Sequence, residues 1–399
     1  DYYRGFTFTD DMVGTERPQD TAWDIGPHEF PFSGTNGVSL IPQYLDITDG
    51  TVQLLIEQRI TPVADTFTVR EATVGVNTTT VISTLRAGTG DYTSVAAWIA
   101  DNCGGTGTDL VANNEILILE CYADDYTAYG GGAGFIAENN ITLSGFTTDE
   151  HHYIEIRAAS GEQHDGTPES GFHWKASNNT SYGELLGLEN NHVRITGLDI
   201  HNTNLNYDSS SAVSTTSAAD YFDVIIDRCI IRSSNDTSVG IIQFRGGSVQ
   251  YPNVIRNSLI IGNDAYAMVK SDNGLNDHIV IENCTFYDQI GANYALFGTD
   301  TTTVVNSVFY NIGAISTGAT FDQGASGNNA CNSVESLPGE NNVLNGTVVS
   351  TDFNNLATLD LRLPLGSQLK HRGRTLTSFD YDVTGDTRPY GEALSLIHI

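Results

Sequence analysis

Two basic residues are the first candidates for chemistry in this chain. The segments "GIIQFRG" (240–246) and "YAMVKSD" (266–272) superpose, and Arg245 and Lys270 then share one column. A lysine can act as a general base only if burial or a neighbouring positive charge lowers its pKa. Arg245 would supply that charge, whereas Asp272 would oppose it. The alternative is a solvated ladder of opposite charges that relieves repulsion on the surface.

Two tyrosines are candidates for binding rather than catalysis. Tyr266 and Tyr294 stand at matching places in "YAMVKSD" and in "YALFGTD" (294–300). Outward aromatic rings on neighbouring repeats could stack on sugar rings, although they could equally be inert surface.

Other catalytic patterns are weak. The ten histidines are scattered, the five cysteines form no CxxC pair, and no His/Cys group has zinc spacing. The glycines Gly130–Gly132 lack the helix start and the lysine of a phosphate-binding loop. We therefore expect the histidines to be structural or surface residues.

Internal repeats must position these candidates. Five segments begin with alternating β-branched residues, pass a small residue and resume with apolar ones: "HVRITGLDIHNT" (192–203), "DVIIDRCIIRSS" (223–234), "NVIRNSLIIGND" (253–264), "HIVIENCTFYDQ" (278–289) and "TTVVNSVFYNIG" (302–313). Their small residues align as Gly197, Cys229, Ser258, Cys284 and Ser307. Just before the last four stand Arg228, Asn257, Asn283 and Asn306. Asparagine at a shared turn suggests side-chain amides that hydrogen-bond from coil to coil.

A second set of segments gives each repeat another strand. It aligns Ile242, Ala267, Ala295 and Ala319 in one column and Phe244, Val269, Phe297 and Phe321 in another. Units of this length cannot bury their inner faces alone and must stack. The repeats therefore predict an all-β parallel solenoid.

One helix is predicted, within 88–102. Tyr92, Val95, Ala96 and Ile99 follow helical spacing, with Asp91 as the expected N-cap. A short amphipathic helix ahead of the first coil would cover the open end of the core.

The charge balance limits the partners. The chain has 49 acidic and 18 basic residues, a net charge of −31. Nucleic acid is not expected, because phosphate binding needs clustered Lys and Arg. Acidic polysaccharides would need an intervening cation, and no apolar run is long enough for membrane insertion. The surface carboxylates either keep an extracellular protein soluble or in part bind calcium.

Two stretches carry a family resemblance. The stretch 88–167, with "GTGDYTSVAAW" and "ITLSGFTTDEHHYIEIRAASGEQHDGT", and the closing stretch "LDLRLPLGSQLKHRGRTLTSFDYDVTGDTRP" (359–389) resemble pectate-lyase-like right-handed parallel β-helix proteins. These are modular bacterial, phage and environmental surface proteins, mostly without assigned activity. The resemblance implies a right-handed β-helix and says little about function.

The resemblance also implies roles for the first candidates. Calcium-dependent lyases of this fold use clustered carboxylates for the metal and an Arg or Lys as the base. Here Arg245 or Lys270 would be the base, while Asp272 and Asp300 would hold Ca²⁺ as the only cofactor. The paired Asp motifs and "GHG" of polygalacturonate hydrolases are not matched, because Asp10–Asp11 and Asp124–Asp125 lie outside the aligned coils and no "GHG" occurs.

The two ends of the chain resemble each other. Asp11, Gly14, Arg17, Pro18 and Ala22 align without gaps on Asp382, Gly385, Arg388, Pro389 and Ala393. We expect residues 1–30 to be the tail of a preceding β-helix unit, 31–81 a β-rich linker and 82–393 the β-helix. Residues 394–399, "LSLIHI", are either a non-native end or ordinary divergence.

Two functions remain open. The first is a structural or adhesive β-helix module of an extracellular, cell-surface or virion-associated protein, which contacts glycans or neighbouring modules of the same polypeptide. The second is a calcium-dependent polysaccharide lyase or a glycoside hydrolase. Tandem modules and the lack of a clear acid–base set favour the first.

Overall fold

The computed structural model describes much of the chain, in two units that divide after Thr78. The described residues are 39–48, 51–59, 73–74, 78–103, 107–176, 184–203, 211–215, 222–234, 240–263, 266–271, 278–298, 301–332, 337–342, 347–370, 372–374 and 376. The predicted tail unit at 1–30 and the predicted non-native end at 394–399 lie outside these ranges. No helix in the described parts of the chain is both long and apolar enough to cross a bilayer.

The first unit contains a small antiparallel sheet. Its strands are β1 (Ser39–Thr48), β2 (Thr51–Arg59) and β3 (Thr73–Val74), hydrogen-bonded in that order. They lie in the stretch where we predict a β-rich linker, and the linking role stays a prediction.

The second unit is built almost entirely of strands. Its helices are α1 (Val95–Cys103) and α2 (Leu110–Asn113), and short 3₁₀ turns occur at Thr127–Tyr129, Ser350–Asp352 and Leu356–Thr358. In chain order its strands are β4 (Thr79–Leu85), β5 (Thr108–Asp109), β6 (Glu115–Cys121), β7 (Phe135–Ala137), β8 (Ile141–Leu143), β9 (Phe146–Thr147), β10 (Ile154–Ala158), β11 (His173–Lys175), β12 (Leu186–Leu188), β13 (Val193–Thr196), β14 (Asp199–Asn202), β15 (Val213–Thr215), β16 (Val224–Asp227), β17 (Ile230–Ser233), β18 (Ile242–Phe244), β19 (Asn253–Arg256), β20 (Leu259–Gly262), β21 (Ala267–Ser271), β22 (His278–Glu282), β23 (Thr285–Phe297), β24 (Thr301–Val305), β25 (Val308–Thr317), β26 (Thr320–Phe321) and β27 (Ala330–Cys331).

Three parallel faces enclose one core. Sheet A is β4-β6-β10-β13-β16-β19-β22-β24-β26. Sheet B begins with the strands β7-β11-β14-β17-β20, and sheet C begins with β8-β12-β15-β18-β21. The long strands β23 and β25 run from one sheet into the other and so extend both sheets. The chain visits A, B and C in turn, and every pairing along these three faces is parallel. This confirms the right-handed parallel β-helix, the hand that parallel crossovers adopt.

Inward side chains stack in rows along the helix axis. One row from each sheet illustrates this: Ile156, Ile195, Ile226, Ile255 and Ile281 in A; Trp174, Ile200, Ile231, Ile260, Phe286 and Phe309 in B; Leu186, Val213, Ile242, Val269 and Leu296 in C. All of them belong to one buried cluster. The β-branched and aromatic residues of the repeats thus form the core, as their alternation predicts.

The corner between sheets A and B carries an asparagine ladder, formed by Asn257, Asn283 and Asn306. All three have positive φ, between 48° and 52°. The amide of Asn306 donates to Asn283 at 3.0 Å, and that of Asn283 donates to Asn257 at 3.3 Å. The predicted coil-to-coil amide bonding is confirmed.

Gly197, the first residue of the predicted column of small residues, was aligned with Cys229, one residue away from its actual partner position. Thr196 pairs with Asp227, so Gly197 is equivalent to Arg228 and Leu198 to Cys229. Gly197 and Arg228 both have positive φ, because this is the corner position that the asparagines occupy in later coils.

Helix α1 packs at the start of the β-helix. Val95 and Trp98 are fully buried in the main core, and the helix contacts β8, the end strand of its sheet. The predicted N-cap Asp91 is wrong: its carboxylate accepts hydrogen bonds from Thr84, and Ser94 Oγ accepts from the Ala97 amide instead. The helix covers the end of the core, as predicted, but it begins at Val95 rather than directly after Asp91.

The segment 347–370, here called the C-terminal cover, folds onto the outer face of sheet B. It buries Val348, Phe353, Leu361, Leu363 and Leu369 against outward residues of sheet B in a second apolar cluster. The sheet contributes Ile230, Leu259, Ile261, Tyr287, Val308 and Ala330 to that cluster. Sheet B in the later coils is thus covered on both faces.

Candidate functional site

The register of sheet C separates the two predicted bases. Ile242 pairs with Val269 and Gln243 with Lys270, so the alignment that placed Arg245 beside Lys270 is wrong by two residues. Arg245 follows the end of β18, where its backbone amide donates to Thr215 Oγ1 in the neighbouring coil. Two residues span about 7 Å along a strand, so Arg245 does not stand directly beside Lys270.

The predicted metal ligands cannot be placed. Asp272 and Asp300 lie outside the described residues. Within the described ranges no group of three or more His, Cys, Asp or Glu side chains is arranged to hold a metal ion.

The two predicted tyrosines come together with a phenylalanine and Lys270. Tyr266 and Tyr294 pack edge to face with centroids 5.6 Å apart, and Phe297 lies 5.3 Å from Tyr266 and 6.1 Å from Tyr294. The ammonium of Lys270 stands 5.8 Å from the Phe297 ring centroid. All four side chains are partly exposed. We call this group the aromatic platform.

The strand register corrects the predicted alignment of the tyrosines and shows why the sequence did not predict Phe297. Tyr294 pairs with Ala267 and Phe297 pairs with Lys270, so Tyr266 and Tyr294 stand one residue out of register rather than at the predicted matching places. The alignment of the repeats puts Phe297 level with Val269, an inward core position. A shift of one residue moves a side chain to the opposite face of a sheet, so Phe297 belongs to the outer surface of sheet C.

A cavity that the sequence did not predict lies on the outer face of sheet A. The cavity measures about 290 Å³ and is lined by Tyr153, Glu155, Arg194, Thr196, Ile225, Asp227, Arg228 and Arg256. We call it the arginine pocket. Its polar residues occupy outward strand positions in successive coils, except for Arg228 at the corner and Tyr153 just before β10. No single column of the repeats contains its arginines, because Arg194 pairs with Ile225 whereas Arg256 pairs with Asp227.

Hydrogen bonds hold the pocket's side chains in place. Arg194 donates to the backbone oxygen of Asp223 at 2.6 Å and to its carboxylate at 2.7 Å. Arg256 donates to Asp227 Oδ2 at 3.2 Å, and Asn257 donates to Asp227 Oδ1 at 3.1 Å. The first member of the asparagine ladder therefore ends on an acidic residue of the pocket.

Aromatic and acidic side chains form the pocket's other wall. The guanidinium of Arg194 lies 5.4 Å from the Tyr153 ring centroid. Glu155 accepts from Arg157 at 3.2 Å. Burial, followed by the charge of Glu155, raises the pKa of Tyr153, so its hydroxyl stays protonated and can donate.

A charged network fills the outer face of sheet B in the earlier coils. Arg232 donates to both carboxylate oxygens of the fully buried Asp199, at 2.9 Å and 2.8 Å. The Glu169 amide donates to the same carboxylate at 2.8 Å, and Lys175 lies 3.0 Å from Glu169 Oε1. Breaking such a buried pair by removing one partner would leave an uncompensated buried charge.

Three histidines border that network. Burial lowers the pKa values of His164 and His173, and burial together with Arg232 lowers the pKa of His201 to about 4. His201 Nε2 lies 2.6 Å from Ser234 Oγ. All three imidazoles are therefore neutral at neutral pH.

Comparison with known proteins adds only distant structural similarity. No family model matches the chain, and no curated protein matches it. The pectate lyase Pel9A is similar over 82% of this chain and 98% of its own, at 12% identity and a TM-score of 0.39. A pectin methylesterase from Aspergillus niger is similar over 63% and 83%, at 10% identity and a TM-score of 0.35. Similarities this low do not bear on function, and the β-helix assignment rests on the sheet topology.

Proposed function

We propose that this chain is a carbohydrate-binding β-helix module of a larger extracellular, cell-surface or virion-associated protein, and that its aromatic platform contacts glycans. One observation supports this most: Tyr266, Tyr294 and Phe297 gather on one surface with Lys270 beside them. Partly exposed rings offer apolar faces, while the phenols and the ammonium offer hydrogen bonds to hydroxyl groups. Neighbouring modules of the same polypeptide are the other proposed partners.

The rigid scaffold suits a binding role. Adjacent strands of a stacked sheet are fixed about 4.8 Å apart by their hydrogen bonds, and a preorganised backbone lowers the cost of ordering side chains when a ligand binds. Lyase chemistry gains no support, because the register separates Arg245 from Lys270.

The test is binding of the full chain to a panel of neutral and acidic polysaccharides by affinity gel electrophoresis, with Ca²⁺ and with chelator. At least one polysaccharide should retard the chain, and Phe297→Ala and Tyr266→Ala should each abolish the retardation. Tyr129→Ala is the matched control, because Tyr129 is 46% exposed and lies outside the platform.

Two results would overturn the proposal. Retardation that survives both platform substitutions would place the glycan elsewhere. Release of unsaturated products that stops with chelator would instead identify a calcium-dependent lyase, and Lys270→Ala and Arg245→Ala would then have to abolish the release.

A further inference from the structure

The arginine pocket concentrates cationic side chains in an acidic chain. Three guanidinium groups, from Arg194, Arg228 and Arg256, line it against the two carboxylates of Glu155 and Asp227. The carboxylate of Asp223, 2.7 Å from Arg194, offsets the remaining positive charge. Three of only 18 basic residues therefore meet at one cavity in a chain with a net charge of −31. Guanidinium groups gathered in this way suit an oxyanion of low charge.

Arg228 is an unusual residue for its position. Its φ is 52°, and the equivalent positions of the next three coils hold the asparagines of the ladder, at 48° to 52°. Asparagine tolerates this left-handed conformation better than a long side chain does. Arg228 also does not continue the ladder, because the side-chain amide of Asn257 bonds to Asp227 instead. The left-handed conformation at this corner is therefore less favourable for Arg228 than for asparagine. The Arg228 side chain, which stands where the later coils have asparagine, lines the pocket.

Two of the three cations are held by carboxylates before any ligand arrives, and Arg228 donates to Gln163 Oε1 at 3.4 Å. Arg194 is fixed by Asp223, which also lies 2.8 Å from His192 Nδ1, and Arg256 is fixed by Asp227. The side chains of Arg194, Arg228 and Arg256 remain 17%, 24% and 22% exposed. Preorganised, partly exposed guanidinium groups bind oxyanions with little loss of side-chain entropy.

We propose that the arginine pocket binds a sulfate ester group carried by a polysaccharide. A sulfate ester presents three terminal oxygens, one for each guanidinium, and carries a single negative charge. A phosphate monoester carries about −1.5 to −2 near neutral pH, which is less suited to cations already offset by Asp223, Asp227 and Glu155. A carboxylate has one charge but only two oxygens for the three guanidinium groups. The tyrosine hydroxyl and the two carboxylates can bond to neighbouring sugar hydroxyls.

The pocket is independent of the aromatic platform, since it lies on sheet A rather than sheet C. The test compares three polymers with one backbone: dextran sulfate, carboxymethyl dextran of matched charge density, and dextran. Calorimetry on the full chain at fixed ionic strength should give affinity for dextran sulfate at least tenfold above that for carboxymethyl dextran, and no binding of dextran.

Arg228→Asn is the decisive variant, because it removes a guanidinium and supplies the residue that the later coils use at this corner. Affinity for dextran sulfate should fall at least tenfold while the thermal midpoint stays unchanged or rises. Arg256→Gln, whose amide can still donate to Asp227, is the second variant and should show the same loss. Arg362→Gln is the matched control, since Arg362 pairs with Asp360 in the C-terminal cover and lines no part of the pocket.

Three results would overturn the assignment. Equal affinity for the two anionic dextrans would reduce the site to general charge attraction. An equal loss in Arg362→Gln would move binding away from the pocket. Failure of the unmodified chain to bind dextran sulfate would remove the proposal, whatever the result for the aromatic platform.

Discussion

The side-chain amide of Asn283 donates to Oδ1 of Asn257 at 3.3 Å, across the gap between two coils. Both residues are buried and both have positive φ. Beyond them, Asn306 Oδ1 accepts from the Arg374 amide at 2.8 Å and its Nδ2 donates to the Arg374 oxygen at 2.8 Å. The ladder therefore joins the pocket at Asp227 to the chain near its end.

The first prediction concerns the middle of this ladder. Asn283→Ala removes the donor to Asn257 and the acceptor for Asn306, leaves buried polar atoms unsatisfied and places at positive φ a residue that tolerates it less well than asparagine. We expect the free energy of unfolding to fall by about 3 kcal/mol, measured by urea denaturation. Asn341→Ala is the control, because Asn341 also has a positive φ of 56° but is exposed. A similar loss in both variants would mean that backbone conformation, not the ladder, determines stability.

The spacing of apolar and asparagine residues in the sequence predicted the fold correctly, but it did not predict the surface sites. Alternating isoleucines such as Ile226 and Ile255 and the asparagine turns repeat along one axis, so their stacking could be read from the sequence. Sheet C could not be aligned correctly, since Ala267, Met268 and Val269 are all buried and offer no alternation to fix the register.

The surface features depend on contacts that no local pattern encodes. The arginine pocket combines side chains from separate coils, and only the strand pairing shows that Arg194 and Arg256 face the same space. The C-terminal cover was equally hidden, because the outward Leu259 and Ile261 look like core residues until a partner segment is known to lie over them. Sequence periodicity identifies which residues are apolar, but not which segment buries them.

The second prediction tests the C-terminal cover. Leu369 is fully buried against sheet B, whereas Leu365 in the same segment is 94% exposed. Leu369→Ala should lower the free energy of unfolding by about 3 kcal/mol, because it leaves a cavity in the second apolar cluster. Leu365→Ala should change it by less than about 0.5 kcal/mol. Equal and small effects in both variants would show that the cover contributes little to stability.

The third prediction concerns thiol reactivity. All five cysteines are free. Burial raises the pKa of Cys229 and of Cys284 to about 12, so almost no thiolate forms at neutral pH, whereas Cys103 is partly exposed. Iodoacetamide should alkylate native Cys103 at least tenfold faster than the other four, as followed by peptide mass spectrometry. Equal labelling of all five before unfolding would contradict the packing at the corner between sheets A and B.

The fourth prediction follows from His201. Its pKa is about 4 in the folded chain because of burial and the nearby Arg232, against 6.5 for an unperturbed histidine. The unfolded chain therefore binds more protons between these values, so stability is full above pH 6.5 and falls as the pH drops toward 4.

Substitution can isolate the contribution of His201 to the pH dependence of stability. When the pH is lowered from about 7 to about 5, His201 alone should reduce the free energy of unfolding by about 2 kcal/mol. His201→Asn can still donate to Ser234. Over the same pH interval its free energy of unfolding should therefore fall by about 2 kcal/mol less than that of the unmodified chain, as measured by urea denaturation at each pH. His151→Asn is the control, because the His151 side chain is 76% exposed. If His201→Asn keeps the full pH dependence of the unmodified chain, the imidazole is not held neutral by its surroundings and the acid sensitivity has another source.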